Sequence, residues 1–338
     1  GRRGRGCKDA PFRPVKHPAD LAPCLLNAGM NAFLRRTGLF LILTAWILAG
    51  GLNAADGDKR LYALCGAYAP EMTALKREFG VDPTKGWTRT VVKGMEFWRG
   101  RVGGKDVIIC RTGVSMVNAA YQLQLALDRF PITHVLFAGV AGGTDPALEV
   151  GDVVIPEAWA NHGEAAYLNE DGKGGYIRPD YLPPGRENFG MIFPAGTTIT
   201  RAGATDSAEE KGERLELIPV DAGLLAAARR AVPKLAPMTK SGRTVRVEVG
   251  GNGVASTVFL DNAKYREWVF RTWGARCTDM ESTALAQVAY ANRIPLLVIR
   301  GLSDLAGGQH GKNPIDDNEL KVSEIAARVL AGVLAELP

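Results

Sequence analysis

From residue 61 onward, short continuous apolar runs alternate with longer segments whose apolar residues recur at helical spacing. Leu61–Cys65, Thr133–Ala138, Val150–Pro156, Thr244–Val249 and Leu296–Ile299 are the short runs. They read as strands, and the fully apolar ones as strands covered on both faces. Met72, Leu75 and Phe79 predict a helix that Pro70 opens, since a proline costs nothing where the backbone N–H has no partner. Val117, Leu123, Leu127 and Phe130 predict the inward face of a second helix, and further helices are predicted over 224–235, 260–273, after Glu281, and over 319–336. Residues 86–102 and 106–110 predict a hairpin about Gly103-Gly104. The stretch 161–216 is polar and rich in Gly, Pro, Asp and Glu, and reads as a surface excursion. Strands alternating with helices predict an α/β single domain with a central mixed β-sheet flanked by helices.

Residues before 55 follow other patterns. Residues 1–29 are rich in Arg, Pro and Gly without periodicity and read as an upstream segment, non-native or disordered. In 30–54, Arg35 and Arg36 precede an apolar run from Leu39 to Ala49, and small residues follow at 53–55. That is the layout of a secretory signal peptide. The run falls short of the roughly 20 apolar residues of a membrane span. The expected product is therefore an exported protein, periplasmic or secreted, whose domain covers 55–338 and which has no membrane partner after cleavage.

The leader also changes the charge. Of 41 Lys+Arg and 36 Asp+Glu, 8 and 2 lie before residue 55, so 33 and 34 remain and the net +5 becomes −1. No nucleic-acid surface is implied. Cys65, Cys110 and Cys277 are too scattered for a metal pattern or a disulfide framework, and Cys65 and Cys110 sit in apolar runs as buried thiols.

Candidate chemistry concentrates between Cys277 and Asp304. Asp279, Met280 and Glu281 open a helix, Ile294-Pro295 ends it, and Asp304 falls just past a buried strand, where open α/β sheets place their ligands. Taken alone, Asp279 and Glu281 also fit as favourable charges at a helix start. Glu71 holds a comparable place after the first strand. Thr112-Gly113-Val114-Ser115 forms a corner suited to an anion or a ribose. Gly139-Val140-Ala141-Gly142-Gly143 implies close backbone approach, but it is not the dinucleotide fingerprint. The glycines at 250–253 are expected on the same ligand edge. His162, in the loop after Ile155, reads as a lone surface histidine that could also reach the site.

Six segments in collinear order resemble the nucleoside phosphorylase and nucleosidase superfamily, in its methylthioadenosine/adenosylhomocysteine nucleosidase branch. They are Gly66-Ala67 with Glu71, Thr112-Gly113-Val114, Gly139–Gly143, Val150–Val154, Asp279–Ala284 and Arg300–Asp304. Val258–Ala263 and Ser303–Gly308 are similar to a secreted subgroup that includes plant bark and vegetative storage-type proteins and their bacterial relatives.

The resemblance implies hydrolysis of the N-glycosidic bond of a purine nucleoside or a 5′-substituted adenosine, without cofactor or metal, by a homodimer. It assigns Asp304 as the acid for the leaving base, Ser303 as its orienting hydroxyl, and Glu71 as the group that activates water. Glu281 would hold the ribose hydroxyls and Met280 would floor the sugar. Gly142, Val254 and Tyr68 would contact substrate. A phosphorylase is the alternative, with Arg111 as a partial anion site, and a non-catalytic nucleoside-binding, transport-associated or storage protein is another. Two positions depart from the branch: Tyr68 replaces a small or thioether side chain near the sugar, and Val140 replaces a small polar residue.

Overall fold

The structure, a computed structural model, describes residues 60–182, 185–201 and 212–338. The segments 1–29 and 30–54 lie outside the described residues. A twelve-stranded mixed sheet forms the centre. Its strands in chain order are β1 (Leu61–Gly66), β2 (Thr88–Val92), β3 (Met95–Val102), β4 (Lys105–Arg111), β5 (His134–Gly143) and β6 (Val153–Ile155). They continue with β7 (Ala158–Asn161), β8 (Ile218–Pro219), β9 (Val247–Val249), β10 (Asn252–Ala255), β11 (Ala275–Asp279) and β12 (Leu296–Asp304). The main path runs β8–β7–β10–β11–β5–β1–β4–β3–β2, with β12 paired to β5 and β6, and β9 to β6.

The helices flanking the sheet are α1 (Ala69–Glu78), α2 (Met116–Arg129), α3 (Ala222–Ala231), α4 (Ala263–Trp273), α5 (Ser282–Asn292) and α6 (Ile315–Ala335). α6 packs on α1, α3, β5 and β12, and α2 packs on α5. This is the expected architecture of a mixed sheet between helices, and the predicted hairpin about Gly103-Gly104 joins β3 to β4.

β5 organises the sheet. Its first half lies parallel to β1 and β12, and its last two residues pair antiparallel with β11. The glycine run 139–143 is therefore strand rather than turn. All of its residues are buried, and pairing on both sides holds a segment whose composition alone favours a loop. Cys65 and Cys110 face each other across β1 and β4 with their sulfurs 3.5 Å apart, and they are buried free thiols, as is Cys277.

Three expectations are corrected here. Val117 is 79% exposed, and the inward face of α2 is carried by Ala119, Leu123 and Ala126. Leu123, Leu127 and Phe130 do pack against the core, and only Val117 leaves it, with the small Ala119 and Ala126 taking up the contact. His162 is buried rather than on the surface. Its Nδ1 lies 3.2 Å from Tyr265 Oη, and burial pushes its pKa down to about 4. The ring against it, Tyr265, comes from distant α4. Lastly, residues 250–253 do not share the ligand edge. β10 is parallel to β11, and Asn252 pairs with Ala275 at the start of that strand, so Gly250 and Gly251 lie at the opposite end from Asp279 and Gly253 sits mid-strand against Cys277.

Candidate active site

The ends of β1, β5, β11 and β12 meet at a cleft of about 200 Å³. Glu71, Gly142, Met280, Glu281, Ser303, Asp304 and Tyr68 all line it. Val254 does not. It lies fully buried in a satellite core with Trp268, Val269 and Trp273, because β10 turns that side chain toward α4. Arg111 is also elsewhere, in a separate groove with Lys76, Glu96 and Gln122, and supplies no anion site to the cleft.

Glu71 enters from the first turn of α1. Its Oε2 accepts the Ala67 N–H, and its Oε1 accepts from Val140 N at 2.8 Å and from Arg300 Nη1 at 3.3 Å. Burial raises its pKa, against the pull of Arg300 and the two amides. A charged base held among fixed donors yet pushed upward is suited to taking a proton near neutrality.

Arg300 was not singled out from the sequence, yet it is the electrostatic centre. The side chain is fully buried. Its Nε donates to Asp279 Oδ2 at 2.6 Å, its Nη1 to Glu71, and its Nη2 to Glu281 Oε2 at 3.4 Å. The guanidinium carbon lies 3.9 Å from the centroid of the Phe137 ring, a cation–π contact. One cation thus serves three buried carboxylates.

Gly139 makes that meeting possible. A methyl group at this position would overlap both Glu71 Oε1 and Arg300 Nη1. The sequence signal was the glycine itself, whose Cβ space is used by two side chains rather than by a ligand.

The two acidic residues at the start of α5 have separate roles. Asp279 is the local cap, with Oδ1 accepting from the N–H groups of Glu281 at 3.0 Å and Ser282 at 2.9 Å. Glu281 turns to the cleft, where its Oε1 accepts the Ser115 N–H at 2.9 Å from the entry to α2. Burial first, then the Asp279 charge, push the pKa of Glu281 up to about 8.

Asp304 ends β12. Its Oδ1 accepts from Ala306 N at 2.8 Å and Asn313 Nδ2 at 3.3 Å, and its Oδ2 lies 2.9 Å from the Ser303 hydroxyl. Burial raises its pKa against these hydrogen bonds. A methyl at Gly142 would stand 2.9 Å from Asp304 Oδ1, so the glycine admits the carboxyl to the floor of the cleft.

The cleft walls carry five carboxylates (Glu71, Asp279, Glu281, Asp304 and Glu319) and no Lys or Arg among the described lining residues. Such a lining offers an incoming anion no cationic side chain to pair with.

A family profile described as the phosphorylase superfamily matches residues 62–337. The chain belongs to the phosphorylase superfamily. It is 30% identical over 256 residues to a 5′-methylthioadenosine/S-adenosylhomocysteine nucleosidase of Mycobacterium bovis, an overlap of 74% of this chain and 88% of the relative. The superfamily fold is seen in the Helicobacter pylori 5′-methylthioadenosine/S-adenosylhomocysteine nucleosidase bound to butyl-thio-DADMe-Immucillin-A. It matches at a TM-score of 0.60 and 19% identity, over 82% of this chain and 99% of that one. A Helicobacter pylori futalosine hydrolase matches at a TM-score of 0.61 and 19% identity, over 82% and 98%. At that identity these two structures speak for the fold.

Proposed function

We infer that this protein is an N-glycosyl hydrolase that cleaves a purine nucleoside or 5′-substituted adenosine to free base and sugar. One observation carries the choice of hydrolysis over phosphorolysis: among the described residues the cleft is lined by five carboxyl side chains and no Lys or Arg. Phosphate would find no lysine or arginine on that lining to receive it, whereas water enters uncharged and meets a base. Arg300, the one fully buried cation among the described residues, already serves three carboxylates.

The reaction follows from the placement of the groups. The C1′–N9 bond breaks through an oxocarbenium-like sugar, and its electron pair passes to the purine. Asp304 gives its proton to N7 of the leaving base. Its raised pKa suits a carboxylic acid that must hold a proton near neutrality. Water adds its oxygen to C1′ and gives a proton to Glu71. Glu281 accepts from the 2′- and 3′-hydroxyls through its carboxyl oxygens, and the carboxylate of Glu71 lies near the developing cation. Met280 packs under the sugar and Gly142 borders the base.

A non-catalytic role fits less well. A buried cluster of one cation and three carboxylates costs desolvation that a storage protein has no reason to bear.

Incubating the protein with adenosine, inosine and 5′-methylthioadenosine, followed by chromatography for free base, tests this reading. No base from any of them, with or without phosphate, would sink it.

The protein is further proposed to be exported, on the leader pattern of residues 30–54, and to act as a homodimer. Supporting the dimer, Val258, Phe259 and Val114 are exposed at the cleft mouth, and Val117 and Tyr121 continue the apolar patch along α2. A mature mass that retains the leader would refute export. A monomeric mass by light scattering would refute the dimer.

A further inference from the structure

The cleft holds a polar pair that the chemistry above leaves unused. Tyr68 Oη donates to Glu319 Oε2 at 2.8 Å, and both side chains line the cleft. Tyr68 precedes α1 at the end of β1. Glu319 stands on α6 one turn beyond Ile315, which also lines the cleft, at a helical rise of about 6 Å.

The entry to α6 is tied to the proton donor. Asn313 donates to Asp304 Oδ1 and accepts the Ile315 N–H at 3.0 Å. α6 therefore leads away from Asp304 toward Tyr68. Among the described residues no cation pairs with Glu319, and its carboxylate spends one acceptor position on Tyr68 out of about four.

The reading proposed above sets the direction of the ligand. With the purine at Asp304 and Gly142 and the diol at Glu281, the wall left to the 5′ group holds Tyr68, Ile315 and Glu319 beside the apolar Val114, Val258, Phe259 and Leu260. We propose that the Tyr68–Glu319 pair selects nucleosides whose 5′ group donates a hydrogen bond, the free 5′-hydroxyl first, over those carrying an apolar alkylthio group.

The physical basis is asymmetric. A 5′-hydroxyl donates to Glu319 and replaces the water it displaces. A thioether donates nothing, so the carboxylate loses hydration without return. Sites built to hydrogen-bond a hydroxyl reject analogues lacking it far more strongly than apolar pockets reject one extra methylene. The sequence singled out Tyr68 alone. Glu319 lies 251 residues away and reaches the cleft only through the packing of α6.

This inference rests on the nucleosidase reading, and its test separates the two. Values of kcat/KM are measured in phosphate-free buffer for adenosine, 5′-deoxyadenosine and 5′-methylthioadenosine, and for the hypoxanthine counterparts. The wild-type protein should favour the 5′-hydroxyl substrate over both others by about tenfold or more. Glu319→Leu should invert the preference toward the methylthio substrate, with the loss for adenosine falling on KM. Tyr68→Phe, which keeps the ring, should narrow the preference and covers the case in which Glu319→Leu fails to fold. Wild-type turnover of the methylthio or deoxy substrate equal to or above that of the hydroxyl substrate overturns the proposal and leaves the nucleosidase reading standing. An unchanged preference in a folded Glu319→Leu protein also overturns it. No base from any substrate overturns the nucleosidase reading, and the proposal with it.

Discussion

Replacing Arg300 by Met probes the charge cluster directly. Methionine keeps apolar contact with Phe137 but removes the hydrogen bond to Asp279 at 2.6 Å and the contacts to Glu71 at 3.3 Å and Glu281 at 3.4 Å. Removing one partner of a buried ion pair costs about 3–5 kcal/mol, because the charge left behind has no compensation. Here the loss depends on pH. Glu71 and Glu281 already have raised pKa values, Glu281 at about 8, with Arg300 pulling both down. Without Arg300 both rise further. A carboxylate whose folded pKa exceeds its unfolded value of about 4.3 binds more protons in the native state, so stability falls as pH rises through that window.

Arg300→Met should therefore cost about 3–5 kcal/mol near pH 8.5 and roughly half that near pH 5, where the carboxylates can neutralise themselves. Urea unfolding followed by tryptophan fluorescence at both pH values measures it. A variant within about 0.5 kcal/mol of wild type at both values, or one hurt more at the lower pH, would refute the account of the cluster.

Asp304→Asn should lower kcat by about 10²–10⁴-fold, the range of a lost general acid, with an unchanged unfolding midpoint and retained nucleoside binding by calorimetry. Near-normal turnover would place leaving-group protonation elsewhere. Glu71→Gln should reduce turnover over a similar range of about 10²–10⁴-fold, since its amide nitrogen takes no proton and leaves one of the Ala67 and Val140 N–H groups without its acceptor, and full activity would remove Glu71 as the base. Gly139→Ala should separate Glu71 from Arg300 and destabilise the protein by about 1–3 kcal/mol, the usual cost of overpacking. A melting temperature equal to wild type would contradict the close approach seen here.

Local patterns read well in this chain because they report local forces. β1 and β12 are apolar runs with no competing signal, and Asp304 followed from its position past the end of one of them. Glu71 and Glu281 were found by the same logic at helix entries. What escaped the sequence depends on partners far along the chain. Arg300 in a strand reads as an interruption until Glu71, 229 residues away, and Asp279 are brought to it. Glu319 reads as one more solvated charge on a closing helix. The place of Gly250 and Gly251 depends on strand direction, which composition does not carry and the parallel pairing of β10 with β11 sets, whereas Val254 pairs with Thr278 near the cleft and escapes it only because its side chain turns into the satellite core. His162 was taken for a surface residue because the ring that partners it, Tyr265, lies in another element.

The central claim is that water, not phosphate, attacks the sugar in a cleft lined by carboxylates. Phosphorus NMR of a reaction run in phosphate buffer, paired with the rate of base release in phosphate-free buffer, tests it most directly. The account predicts free sugar, no sugar 1-phosphate resonance, and the same rate in both buffers. A sugar 1-phosphate signal, or base release that requires phosphate, would contradict it.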